Sequence, residues 1–196
     1  MQPTDLPLFP LSSVLFPEGT LNLRIFERRY LDMIRDCARD SKGFGVCLIL
    51  EGQEVGEPSM PAAVGTLARI VDFHTTDDGL LGILASGNER FHVRETRVRD
   101  NGLIHARVDW FDECEIQHVP PECGLLATIL ERFHDQVGGE YSRIDRARYD
   151  DAAWVGYRLA EALPLEESER QLLLQTSDPI ERLTQLMHFL PRFQTS

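Results

Sequence analysis

Leu6-Pro-Leu-Phe-Pro-Leu11, Val14-Leu-Phe-Pro-Glu-Gly19 and Leu23-Arg-Ile-Phe-Glu-Arg-Arg-Tyr30 follow one another at the head of the chain, apolar, alternating and cut by prolines at fixed points. In Pro17-Glu18-Gly19 the proline suits the second position of a β-turn and the glycine its last. Beyond the turn, Leu21, Leu23 and Ile25 alternate with Asn22 and Arg24, the period of a half-buried strand. The period then changes. Tyr30, Leu31, Ile34 and Ala38 share one face of a helix predicted over residues 28–39. The opening therefore reads as β structure that takes a single amphipathic helix into itself.

The rest of the first half agrees with this reading. Residues 44–50 form a short apolar run between Gly43 and Gly52, which predicts a strand buried on both faces. Residues 51–63 are rich in Gly and Pro and read as a loop. Asp78-Gly79 joins strands predicted over 66–74 and 80–86, and Asn101-Gly102 joins strands predicted over 90–99 and 103–111. Asx-Gly pairs supply the positive φ angles of tight hairpin turns. Short strands with such turn spacing predict an antiparallel barrel or sandwich.

Past about Cys114 the pattern becomes helical. Leu125, Leu126, Ile129, Leu130 and Phe133 recur at helical spacing until Gly138-Gly139. A helix over 150–163 is ended by Pro164, and a short one follows over 168–175. The last opens on Asp178-Pro179-Ile180-Glu181, with Asp178 as N-cap, Pro179 at the first helical position and Glu181 completing a capping-box-like pattern. Its predicted apolar stripe is Ile180, Leu183, Met187 and Leu190. The fold class is α+β, with a β-rich part over 1–113 and an α-helical part over 114–196.

Composition excludes several classes of function. The 196 residues are 42% apolar and 27% charged, the balance of a globular protein. The net charge is −12, with 12 basic against 17 acidic residues through Asp112 and 8 against 15 beyond it. A field of that sign repels phosphate backbones and anionic lipid, which makes nucleic acid an unlikely partner and a membrane surface an unexpected one. Cys37, Cys47, Cys114 and Cys123 form no C-x-x-C pair, and Cys37 and Cys47 fall at apolar positions of a helix and a strand. With no secretory signal and no run long enough to span a bilayer, the expectation is a cytoplasmic chain in a reducing compartment. A homo-oligomer is compatible with everything in the sequence.

The order of these segments resembles the Lon N-terminal domain family, the substrate-recognition module of ATP-dependent Lon proteases. The opening run carries the resemblance, with IFERRYLDMIRDC (25–37), VGTLARIVDF (64–73), GLLGILASGNERFHV (79–93) and LPLEESERQLLLQTSDPIERLTQLMHFL (163–190). The resemblance implies a PUA-like β pseudo-barrel with one embedded helix, followed by a helical bundle. It also implies a non-catalytic module that binds unfolded or exposed apolar polypeptide segments. The ATPase and protease that follow this module in full proteases are not expected here. A Walker A loop needs G-x-x-x-x-G-K-[ST] and a Ser-Lys dyad needs a lysine base, but the only lysine is Lys42, between Ser41 and Gly43. No cofactor is expected.

The remaining candidates each have a plain reading and a functional one. Cys114, His118 and Cys123 offer three soft ligands, but structural zinc takes four in paired short spacings, so no metal site is expected. Asp77-Asp78, Asp150-Asp151 and Glu166-Glu167 fall in turns or at helix starts, where carboxylates solvate a turn or complement a helix dipole. A cryptic hydrolase would need a partner group beside one of them. Arg90, Arg94, Arg97 and Arg107 form the one local basic concentration. They read first as the solvated face of a hairpin, and alternatively as a patch for acidic peptides or RNA on a PUA-like module. Phe9, Phe16 and Phe26 read first as barrel core. The alternative is an apolar groove that accepts a peptide, for which Phe16, Arg24 and Phe26 are the candidate contacts.

Overall fold

The prolines of the opening run decide how the first strand is used. The computed structural model describes residues 4–112 and 115–193, Glu140 by its backbone alone. In it Thr4–Leu11 is β1. Its first half, with Pro7, pairs antiparallel with Ile104–Trp110 (β6), and its second half, with Pro10, pairs parallel with Phe44–Glu51 (β3). Each half therefore has a neighbour on one side, and a residue without an N–H is tolerated on such an edge. Two long strands carry the frame: β4, Met60–Thr75, and β5, Leu81–Val98. Thr20–Ile25 is β2.

The strand order is β2-β5-β4-β3-β1-β6, and a further β5–β6 pairing closes the ring. One strand does both jobs. β5 pairs with β2 from Leu81 to Ser86, with β4 from Leu81 to His92 and with β6 from Phe91 to Val98. The sheet is mixed rather than antiparallel throughout, because β1 enters beside β3 in the same direction. The pseudo-barrel with an embedded helix implied by the resemblance is present. The helix is α1, Arg28–Asp40, whose buried Tyr30, Met33, Ile34 and Cys37 join Phe9, Leu23, Phe44 and Ile83 in one core cluster. A second cluster, with Leu8, Cys47, Phe91 and Val108, fills the ring where β1, β3, β5 and β6 meet. Gly65 makes this packing possible, since a Cβ there would stand 2.4 Å from the carbonyl oxygen of Val46.

Three local expectations change. The loop predicted over 51–63 ends early, because β4 already begins at Met60. The strands predicted over 80–86 and 90–99 are one continuous strand, which the glycine at 87 does not break. At both hairpins only the glycine takes positive φ, 81° at Gly79 and 80° at Gly102, and the Asx residue does not. The Thr76 N–H donates to Leu80 O at 2.9 Å and the Arg99 N–H to Leu103 O at 2.9 Å. These are three-residue loops ending in a left-handed glycine, and not two-residue turns.

The chain divides into two compact units, Met1–Asp112 and Glu113–Ser196. The second contains α2 (Gly124–Val137), α3 (Ala152–Ala162), α4 (Glu167–Gln175) and α5 (Pro179–Phe189). Asp151 caps α3 by accepting from the Ala153 and Trp154 N–H groups at 3.0 and 3.1 Å, and Asp178 caps α5 by accepting from Ile180 at 2.8 Å. The apolar run of α2 is wider than its buried face. Leu126, Leu130 and His134 are inside, while Leu125 and Phe133 are exposed. His134 takes the inner place by stacking on Tyr141, ring centroids 4.5 Å apart, with Nδ1 2.8 Å from the Tyr149 hydroxyl. Among the described residues no helix is long and apolar enough to cross a membrane.

Candidate functional site

A cavity of about 240 Å³ opens on the first unit, lined by Phe9, Leu11, Asn22, Leu23, Arg24, Phe26, Glu27, Tyr30, Glu54 and Val55. Its floor is apolar and closed. Phe9 and Leu11 come from β1, Leu23 from β2 and Tyr30 from the first turn of α1, and all four are buried. The Phe9 and Tyr30 rings stack at 4.0 Å between centroids, 17° from parallel. Alternation along β2 sends Leu23 and Ile25 into the core, which places Asn22 and Arg24 on the outer side of the same strand. Among the described residues β2 pairs with β5 alone, so its other edge carries backbone donors and acceptors with no strand beside them.

The rim is partly apolar. Phe26 is 48% exposed and Val55 51% exposed. Phe26, just past the end of β2, is therefore not the barrel core that its aromatic spacing first suggests, and Val55 is a large apolar group in a polar loop. The charges on the rim are mostly paired. Arg24 is 2.7 Å from Asp78, and its guanidinium lies 5.9 Å from the centroid of the Phe26 ring. The Thr76 hydroxyl, with the Arg24 charge behind it, holds the Asp78 carboxyl below the usual carboxylate range. Glu27 pairs with Arg29 at 3.0 Å, and Arg29 also donates to Gly102 O at 3.2 Å, tying the head of α1 to the β5–β6 hairpin. Glu54 differs. One oxygen, Oε1, accepts from the Ser12 N–H at 2.6 Å and from the Ser12 hydroxyl, and no described basic side chain lies within ion-pair distance of the carboxylate. Burial, opposed by Arg29 and reinforced by Glu27 and Glu54, pushes the Tyr30 phenol up to about 12, so the floor stays uncharged.

Arg24 and Phe26 stand on this cavity wall. Phe16 does not. Its side chain has 0% exposure and cannot meet an incoming chain, which corrects its place among the candidate contacts. The physical reason lies in the segment before the turn, which is pinned inward: the buried Thr66 hydroxyl donates to Leu15 O at 2.6 Å. The sequence reading missed Tyr30, Glu27, Glu54 and Val55 as site residues. Val55 carried the one available signal, an isolated large aliphatic residue in the Gly- and Glu-rich loop 51–57.

The basic concentration is an ion-pair lattice. Arg94 Nε bonds Asp109, Arg97 lies 2.8 Å from Asp5, and Arg107 lies 3.5 Å from Glu95. Arg90 is buried, its guanidinium 4.4 Å from the centroid of the Phe111 ring. The register of β6 against β5 and β1 interleaves carboxylates with these arginines, so the face is not a uniformly basic patch. Of the three soft ligands considered for zinc, Cys114 lies outside the described residues. His118 Nδ1 is 2.7 Å from Asp150, and Cys123 is buried. Among the described residues no three His, Cys, Asp or Glu side chains are grouped to hold a metal ion.

Residues 5–192 match the family described as the ATP-dependent protease La (LON) substrate-binding domain. A crystal structure of a Lon N-terminal domain protein from Xanthomonas campestris is 50% identical, with a TM-score of 0.81 over 94% of this chain and 98% of that one. The N-terminal domain of Mycobacterium avium complex Lon protease has a TM-score of 0.69 over 94% of this chain and 97% of that one. At 16% identity that is a likeness of fold. Roseiflexus castenholzii Lon protease is 28% identical over 196 residues, covering 97% of this chain and 24% of that protein. The chain thus spans about a quarter of the length of the Lon proteases it matches.

Proposed function

The chain belongs to the LON substrate-binding domain family, and from that premise we propose that it is a polypeptide-binding module that takes extended, apolar segments at the cavity beside β2. One observation carries the reading: an apolar cavity lies along a strand edge that, among the described residues, no other strand occupies. An extended segment can pair its backbone with such an edge while a side chain enters the cavity. At about 240 Å³ the cavity falls short of the roughly 300–1,000 Å³ of small-molecule pockets, which suits a side chain better than a whole ligand. The reading is of a binder and not of an enzyme. The chain has a single lysine and no phosphate loop, so it carries neither an ATPase site nor a Ser-Lys dyad of the Lon type. A cytoplasmic setting fits the free, buried thiols of Cys37, Cys47 and Cys123.

The test is direct. A fluorescently labelled, permanently unfolded protein (reduced and carboxymethylated) is titrated with the purified chain in the absence of nucleotide. Micromolar binding is expected. Phe26→Asp and Val55→Asp replace exposed rim residues, leave the core intact, and should each weaken binding about tenfold or more by placing a charge against apolar surface. Equal binding by both folded variants would remove the cavity from the reading.

A further inference from the structure

Resting on that reading of the cavity, we infer that the site selects segments in which the inserted apolar side chain has an arginine or lysine beside it. Among the described residues, the charges around the mouth are paired with one exception. Arg24 is neutralised by Asp78 and Glu27 by Arg29. Glu54 is left over, a carboxylate on the wall of the cavity whose Oε1 is fixed by Ser12 and which no described cation meets. The first unit as a whole is acidic, with 17 acidic against 12 basic residues through Asp112. A carboxylate held in place by hydrogen bonds needs no reordering to meet a cation, so its attraction is gained with little entropic loss. The exposed Phe26 ring lines the same cavity and adds an aromatic face to its mouth. A glutamate or aspartate in that position of the segment would meet Glu54 with like charge and lose both contacts.

Three fluorescein-labelled dodecapeptides share one Phe- and Leu-containing core and differ only in flanks of arginine, serine or glutamate. Anisotropy titrations are run at low and high salt. The arginine-flanked peptide is expected to bind roughly five- to tenfold tighter than the glutamate-flanked one at low salt, with the serine peptide between them and the gap narrowing at high salt. Glu54→Gln keeps a side-chain oxygen to accept from Ser12 but removes the charge, and should bring the two affinities to within about twofold. Asp135→Asn makes the same change of net charge on an exposed position of α2 and should leave the gap intact. If Glu54→Gln lowers the melting temperature, Val55→Lys places a cation at the same mouth on an exposed position and should invert the preference.

The outcomes separate. Equal affinity for arginine and glutamate flanks overturns this inference and leaves polypeptide binding standing, as reported by the serine peptide. A gap that survives in Glu54→Gln, or one that Asp135→Asn closes equally, overturns it as well, by assigning the preference to the whole-molecule field. No binding of any of the three peptides sinks the polypeptide-binding reading itself.

Discussion

Phe16 sits at the first corner of a turn that is bound to the frame by its backbone. The Gly19 N–H donates to Phe16 O at 3.0 Å, the Glu18 N–H to Gly87 O at 2.8 Å, and the Gly87 N–H to Gly19 O at 2.8 Å. A Cβ at position 87 would stand 2.2 Å from Phe16 O, so the turn lies directly on a backbone that has no side chain in the way. Glu18 takes the left-handed position, φ 60°, that glycine fills at lower cost. This close seating turns Phe16 inward and gives it a structural task. Phe16→Ala should lower the stability to urea by about 3–5 kcal/mol, the cost of emptying a filled aromatic site. The folded fraction should keep its affinity for an unfolded protein. A variant of unchanged stability and weakened affinity would return Phe16 to the binding surface. Period-two patterning shows that a residue belongs to one face or the other. It does not reach Phe16, in the turn before β2, or Phe26, just past its end, and so it could not separate the two.

At the scale of elements, the union of α4 and α5 depends on a residue that apolar patterning passes over. Arg182 is 1% exposed. Its Nε donates to Leu173 O at 3.0 Å, its Nη2 bonds Thr176 O, and its guanidinium lies 4.0 Å from the centroid of the Tyr157 ring on α3. Two carbonyls at the end of α4 are thereby satisfied by a cation, which also suits the negative end of that helix. Gly156 leaves the room, since a Cβ there would come 3.0 Å from Arg182 Cδ. Of the stripe predicted on α5, Leu183 and Leu190 are buried and Ile180 and Met187 only half so, because Arg182 and Leu186 take inner places beside Leu183. Arg182→Lys should cost about 2–4 kcal/mol, because it keeps a buried charge but cannot span both carbonyls or stack as a plane. Arg182→Met removes the charge along with the bonds and should be the milder change. Thermal unfolding of the two variants checks the order, and a lysine variant as stable as the wild type would contradict the capping role.

Over the whole molecule, each unit has an interior of its own. The first is closed by its ring of strands, and in the second α3 packs against α2, α4 and α5. We therefore expect residues 1–112, expressed alone, to show a β-rich circular dichroism spectrum and one cooperative unfolding transition. A broad, non-cooperative melt would show that this unit needs the rest of the chain. Much of this organisation was legible beforehand because it rests on local rules. Alternation marks strands, a 3.6-residue period marks α1 and α5, Asx-Gly marks hairpins, and Asp178-Pro179 marks a helix start. What sequence alone determined is therefore the succession of strands and then helices, and the acidic balance of both halves of the chain. Tertiary structure alone decided the ring closure through β5, the edge left on β2, the cavity beneath Phe26 and Val55, the pairing of Arg94, Arg97 and Arg107 with carboxylates, and the place of Glu54, which is bonded to Ser12 with no described cation beside it. The reason is physical: periodicity is a property of neighbours along the chain, whereas a cavity and a charge balance are set by residues tens of positions apart, such as Ser12 and Glu54, that meet only when the sheet has closed.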